Sequence, residues 1–390
     1  MATDTVPIAG SVDPRFASLR DAFRANFAEE EEIGATLCVR VGGQTVADLW
    51  GGWRDEARTR PWQRDTLVNV YSVGKGVSTV LALVLAERGL LDLDALVVDT
   101  WPEFGTHGKE VLRVCDLLSH RAGLPAPRES LGRGAFRSWS RLTETLAAQV
   151  PWWAPGEHHG YHVNTWGFLI GEVICRLTGL RFGEALARNV TGPLQADFHV
   201  GLPEALHARC AEVVAKNASA LNRQSAAEAF PPTGDPVQDE MIQKTYFNPP
   251  ELSGTGVVNT AAWRSAEVPS TNGHGNARSV CAVYGALLAG LVSDALLTRA
   301  SAIASDGVDR VLGRHSRFGL GFQLAMPERP MGRSSRAFGH FGYGGTLGFA
   351  DPDAGIAFAY VMNRPGVRWQ TPRVGRLVDA LYDALSPGVS

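Results

Sequence analysis

Apolar positions change their spacing along this chain, and each change predicts a different kind of element. In "ATLCVRVGGQTVADLWGG" (residues 35–52) two β-branched, alternating runs flank Gly42-Gly43, the pattern of a hairpin at the start of an antiparallel sheet. From Ser72 the period lengthens. Val77, Val80, Leu81, Val84 and Leu85 recur at three and four, predicting a helix that ends at "ERGLLDLD". Residues from about 90 to 265 hold helical stretches such as "EVLRVCDLLSH" and "WGFLIGEVICRLTG" between loops such as "PWWAPGEHHG" and "AFPPTGDP". Strand spacing returns in "TLGFADPDAGIAFAYVMNR", two apolar runs about an Asp-Pro-Asp-Ala-Gly turn, before a last helix at about 372–385.

This order predicts an α/β chain of the α+β type, an antiparallel sheet flanked by helices with an inserted, mainly helical lobe. Residues 1–75 and 266–390 are expected to build the sheet-bearing lobe and residues 76–265 the helical one, with the functional site between them. A length of 390 residues, 45% hydrophobic and 20% charged, suffices for a large core. A net charge of -3 without blocks of like charge argues against nucleic acid, and "EEEE" at 29–32 reads as a solvated helix end. The longest apolar run, "VSTVLALVLA" at 77–86, is too short to span a bilayer and reads as a buried helix. The N-terminal "MATDTVPIAGSVDPRF" lacks the apolar segment of a secretory signal. Five scattered cysteines, an odd number without Cys-x-x-Cys spacing, argue against a disulfide framework or a zinc site. A cytoplasmic protein with reduced thiols, and with neither a membrane nor a nucleic-acid partner, is expected.

Candidate chemistry begins at "YSVGKG", residues 71–76. With four lysines and 22 serines in the chain, chance supplies about 0.2 Ser-x-x-Lys pairs, so the tetrapeptide alone is a weak signal. A helix beginning at Ser72 places Lys75 one turn on and on the same face. A neutral or proton-sharing amine in a desolvated pocket then helps deprotonate the hydroxyl, and the helix N-terminus favours the developing charge. The competing reading makes Ser72 an N-cap and Lys75 a surface residue. No Gly-x-Ser-x-Gly elbow occurs. His158, His159 and His162 crowd one loop without the His-Glu-x-x-His pattern of a metal site, so no metal or other cofactor is expected.

Four ordered stretches decide between these readings: "VYSVGKGVSTVLALVLAERGLLDLD", "VCDLLSHRAGLP", "PGEHHGYHVNTWGFLIGEVICRLTG" and "FGHFGYGGTLGFADPDAGIAFAYVMNR". In that order they resemble the conserved blocks of the serine β-lactamase and penicillin-binding-protein superfamily, most closely its family VIII carboxylesterases, over roughly residues 30–385. The resemblance implies a β-lactamase-like fold. It also implies Ser72 as acyl-accepting nucleophile, Lys75 as its activating partner and Tyr161 of "GYHVNT" as phenolic base or proton shuttle, with Lys75 supplying the charge that would lower the phenol's pKa from about 10. The third motif aligns with His340-Phe341-Gly342; backbone N–H groups of Ser72 and Tyr343 would form the oxyanion hole. Glycines at 339, 342, 344 and 345 would let substrate approach the backbone.

The departures are also informative. The second motif of the lactamases is Tyr-x-Asn, but here Val163 stands two after Tyr161, and the third motif offers His340 and Phe341 in place of its lysine and threonine. The usual anchors for a β-lactam's amide and carboxylate are missing, with Arg278 a conceivable substitute. Phe136, Trp152, Trp153 and Trp166 are candidates for an apolar acyl pocket. The expected activity is therefore cofactor-free hydrolysis of short- to medium-chain carboxylic esters through an acyl-Ser72 enzyme, the alternative being a β-lactamase or a D-amino-acid or cyclic amide hydrolase of the same fold. The expected partner is a small-molecule ester.

Overall fold

The computed structural model describes residues 6–214, 232–366 and 370–386. Strands β1 (Ile8–Val12), β2 (Gly34–Val41) and β3 (Gln44–Gly52) come from the start of the chain; β6 (Ser305–Val308), β7 (His315–Phe318), β8 (Gln323–Leu324), β9 (Phe338–Phe341), β10 (Leu347–Asp351) and β11 (Ile356–Met362) come from its end. These nine form one antiparallel sheet in the order β1-β3-β2-β11-β10-β9-β8-β7-β6. The short β4 (Val68–Asn69) and β5 (His274–Gly275) pair separately. Gly42 and Gly43, at φ 55° and 80°, turn β2 into β3, and the Asp-Pro-Asp-Ala-Gly stretch turns β10 into β11. The two chain ends meet where Cys38 of β2 lies opposite Ala359 of β11.

Both faces of this sheet are covered. All seven residues of β11, "IAFAYVM", are buried. Ile356, Phe358, Tyr360 and Met362 enter the core shared with α1 (Ala17–Glu29) and the last helix, Pro372–Leu385, while Ala357, Ala359 and Val361 enter the core shared with α2 (Val73–Glu87) and the helix Ala277–Leu288. Alternation places the residues, but with both faces apolar it leaves no polar rhythm in the sequence. Val73 to Leu85 of α2 are buried all round, as befits a central helix.

Elsewhere the elements depart from the sequence reading. β1 was not foreseen. "EVLRVCDLLSH" is helical only at Val114–Leu118, after a 3-10 turn at Lys109–Val111, whereas "WGFLIGEVICRLTG" forms the helix Thr165–Thr178, ended by Gly179 at φ 68°. Residues 229–231 of "AFPPTGDP" lie outside the described residues; the helix Pro236–Phe247 that follows, N-capped by Asp235, was missed. "EEEE" is only partly solvated. Glu32 is buried, accepting from Tyr360 Oη at 2.6 Å and Arg373 Nη1 at 2.9 Å, and burial raises its pKa despite the arginine. Among the described residues no helix is long and apolar enough to cross a membrane.

Candidate active site

Ser72 sits at the start of α2 with helical φ and ψ of -68° and -8°, and its side chain makes no capping bond. The hydroxyl is therefore not consumed by the helix end, which removes the N-cap reading. Tyr71, just before it, has φ 50°, a conformation that costs a residue with a Cβ and makes the turn into the helix abrupt. Its ring packs edge-on against that of Tyr343 at 5.2 Å, joining the nucleophile turn to the loop after β9.

Lys75 lies one turn on, fully buried, with Nζ 3.3 Å from Ser72 Oγ. The same nitrogen donates to the carbonyl oxygens of Val163 at 2.7 Å and Ser270 at 3.0 Å. It is not a surface residue. Burial pushes its pKa well below the ordinary lysine range. A neutral amine has two N–H groups and one lone pair. With the hydrogens on the two carbonyls, the lone pair is left for the Ser72 hydroxyl.

Tyr161 is fixed by rings. Phe318 stacks on it at 5.7 Å and 4°, His120 meets it edge-on at 5.1 Å, and Lys75 Nζ lies 4.8 Å over its centroid. Burial drives the phenol's pKa far up, and its proximity to the Ser72 side chain offsets this in part. The expectation that a charged Lys75 would ionise Tyr161 does not fit, because burial opposes both charges. Burial disfavours the charged form of the amine and of the phenol alike.

Strand parity separates the third-motif residues. His340 and Phe338 share the face toward α2, and His340 lies 5.9 Å from the Tyr161 ring. The His340 Nδ1–H donates to Phe341 O at 2.7 Å, so Nε2 is an acceptor; burial and the nearby Lys75 lower its pKa to about 3. Phe341 turns to the opposite face, into the core with Leu347 and Phe349, so its side chain cannot line a substrate site on the α2 face. Gly342 is needed for a different reason than substrate access: a Cβ there would sit 1.9 Å from Thr346 Oγ1 and 2.6 Å from Val70 O. Its bareness lets the Tyr343 loop close against the residues leading to Ser72. A Cβ on Gly344 would likewise strike Pro365.

Of the apolar candidates, Trp152, Trp153 and Val163 group with Met241, Ile242, Tyr246, Phe247 and Val311, forming a wall beside the carbonyl that holds Lys75. Phe136 belongs instead to the main core, 5.5 Å from Trp263, and Trp166 is buried with Nε1 on Leu118 O. Arg278 is committed to Asp48 at 2.9 and 3.0 Å, so it is no substitute anchor. The loop histidines are spent separately: His159 Nε2 meets Ser316 Oγ at 2.9 Å, and His162 accepts from Leu124 N at 3.0 Å while donating to Gly160 O at 2.6 Å. Sequence reasoning missed Ser270 and Tyr246. The first contributes a backbone oxygen, which no residue type announces, and the second sits on a helix without a clear apolar stripe.

A family model described as Beta-lactamase matches residues 19–380. The esterase/beta-lactamase LipL of Mycobacterium tuberculosis is 33% identical over 374 residues, spanning 92% of this chain and 83% of that protein. A family VIII carboxylesterase of solved structure is similar at 36% identity and a TM-score of 0.87, covering 97% of this chain and 100% of that one. A penicillin-binding protein homolog from Caulobacter crescentus is similar at 35% identity and a TM-score of 0.86, with the same coverage. The shared fold is the β-lactamase-like one.

Proposed function

The chain belongs to the beta-lactamase family and is a serine hydrolase; from that premise we propose that it is a carboxylesterase, taking short- to medium-chain esters through an acyl-enzyme on Ser72. The observation that carries this reading is the placement of Lys75, buried, with two carbonyls to donate to and the Ser72 hydroxyl beside it. Lys75 takes the Ser72 proton as Oγ bonds to the ester carbonyl carbon. Backbone N–H groups of Ser72 and Tyr343 receive the oxyanion. As the bond to the leaving oxygen breaks, the Tyr161 phenol gives that oxygen its proton and regains one from the Lys75 ammonium. Water then attacks the acyl carbon, its proton passes to Lys75, and Ser72 leaves with a proton returned from Lys75.

The apolar wall of Val163, Trp152, Tyr246 and Phe247 supports an aliphatic acyl group. LipL's name as an esterase/beta-lactamase keeps β-lactam opening as a second reading. All five cysteines are unpaired, which supports a reducing, cytoplasmic setting as part of the proposal. Quenching a reaction with a slow ester and weighing the Ser72 peptide tests the reading: a mass increase equal to the acyl group is expected, and turnover without any such adduct, undiminished in Ser72→Ala, would overturn it.

A further inference from the structure

Tyr161 is held from a direction that none of the sequence motifs covers. Its backbone N–H donates to both carboxylate oxygens of Asp309, at 3.0 and 3.1 Å, across 148 residues of sequence. The same carboxylate accepts from Val311 N and Leu312 N, both at 2.8 Å, and from Ser316 Oγ at 2.8 Å. Asp309 is wholly buried in the β6–β7 connection. Ser316 spends its hydrogen on Asp309, so the His159 Nε2–H donates to Ser316 Oγ at 2.9 Å. Every group facing the carboxylate is a donor. Only an acceptor with no hydrogen of its own satisfies them all; an asparagine would turn an N–H toward at least one of these donors.

We propose that Asp309 is a positioning residue of the reaction, acting through the main chain of Tyr161 to set the phenol at the Ser72 hydroxyl. The proposal rests on the reading of Tyr161 as proton donor to the leaving group. Strand β7 couples the two restraints, because Ser316 and Phe318 lie two residues apart on one face: the first binds the carboxylate and the second stacks on the Tyr161 ring. A shift of the Tyr161 backbone displaces the phenol, while Lys75 stays one turn from Ser72 on α2 and keeps its bond to Ser270 O at 3.0 Å, outside the Tyr161 loop. Acylation chemistry that needs no proton delivery is then spared.

The test uses leaving groups. A p-nitrophenolate departs without a proton, whereas an alkoxide needs one, so loss of phenol placement is felt by alkyl esters far more than by p-nitrophenyl esters of the same acid. D309N should lower kcat for ethyl butyrate about 30- to 100-fold, the scale of a small misplacement, with KM within about twofold and p-nitrophenyl butyrate reduced less than about fivefold. In a Tyr161→Phe background D309N should add less than about a twofold further loss. Equal losses on both esters, or undiminished losses without the phenol, would show a scaffold role and overturn the proposal. S316A, which removes one hydrogen bond and leaves the carboxylate, should give the same pattern at about a third of the size on a logarithmic scale, and it decides the matter should D309N not fold. If Tyr161→Phe itself shows no leaving-group dependence, the reading of Tyr161 fails, and the placement of Asp309 loses its function with it.

Discussion

Lys75 Nζ donates to the main-chain carbonyl of Val163 at 2.7 Å, so the candidate base is tied to the loop that carries Tyr161 as well as to the helix that carries Ser72. The tie explains why Val163 occupies a motif position without contributing a polar side chain. Its carbonyl orients the amine, and its isopropyl group faces the apolar wall. Three predictions concern this arrangement and a fourth concerns substrate choice.

The first is a pH dependence. Lys75 acts as base only when neutral, and burial lowers its pKa, so the acylation rate should rise with pH through that lowered value and level off well short of the ordinary lysine range near 10.4. Lys75→Arg, which cannot lose its proton, should abolish turnover across the whole range. Stability follows with a definite sign. Between the lowered folded pKa and about 10.4 the unfolded chain binds a proton that the folded one does not, so this group's contribution falls as pH drops through that window. The melting temperature of Lys75→Met relative to wild type should therefore be higher at about pH 7 than at about pH 10. A difference independent of pH would mean that Lys75 is charged in the folded protein.

The second prediction concerns Ser72, Lys75 and Tyr161 as one unit. Single changes to Ala, Ala and Phe should each cost at least about 100-fold in kcat/KM for an alkyl ester, the usual scale for a positioned acid or base. The triple change should cost little more than Ser72→Ala alone, since the hydroxyl is what the other two serve. Simple multiplication of the three losses would contradict a joint action of Lys75 and Tyr161 on Ser72 Oγ.

Much of that unit is legible in the sequence because it is local. Ser72 and Lys75 are one helical turn apart, and three-residue spacing puts them together wherever the helix lies. The third motif is harder to read. In a strand covered on both faces, nothing in "FGHF" says which residues face the active site: His340 shares the α2 face, and Phe341 lies on the other. Arg278 and Glu32 fail for another reason. Their partners, Asp48 and Arg373, are 230 and 341 residues away, and only the assembled sheet brings them together. Backbone contributors such as Ser270 O leave no trace in residue type.

The third prediction concerns the acyl pocket. Val163 groups with Trp152, Tyr246 and Phe247, so enlarging it should fill the space where an acyl chain would lie. Val163→Trp should lower kcat/KM for p-nitrophenyl octanoate at least about tenfold relative to the acetate, since each methylene denied its burial is worth about 0.8 kcal/mol. Phe247→Ala should move the optimum toward longer chains. An unchanged chain-length profile in both variants would place the acyl group elsewhere.

The fourth prediction sets esters against β-lactams. An ester needs the nucleophile, its base and two oxyanion donors; Ser72 and Lys75 lie together at the start of α2, and Tyr343, the second proposed donor, is on the loop after β9 that packs against Tyr71. A cephalosporin also needs its carboxylate and side-chain amide held. The third-motif lysine is replaced by His340, buried and, with a pKa lowered to about 3, uncharged at neutral pH, so it offers a carboxylate no positive charge. Phe341 is in the opposite core, Val163 has no amide, and Arg278 is paired with Asp48. The discrimination should therefore reach at least about a hundredfold in kcat/KM for short-chain p-nitrophenyl esters over a chromogenic cephalosporin, or roughly 2.7 kcal/mol of transition-state binding. His340→Lys should narrow the gap from the lactam side if the added charge meets the carboxylate. Comparable values for the two substrates in the wild-type protein would instead require an anchor on some other residue, and would favour lactam hydrolysis as the reaction of this site.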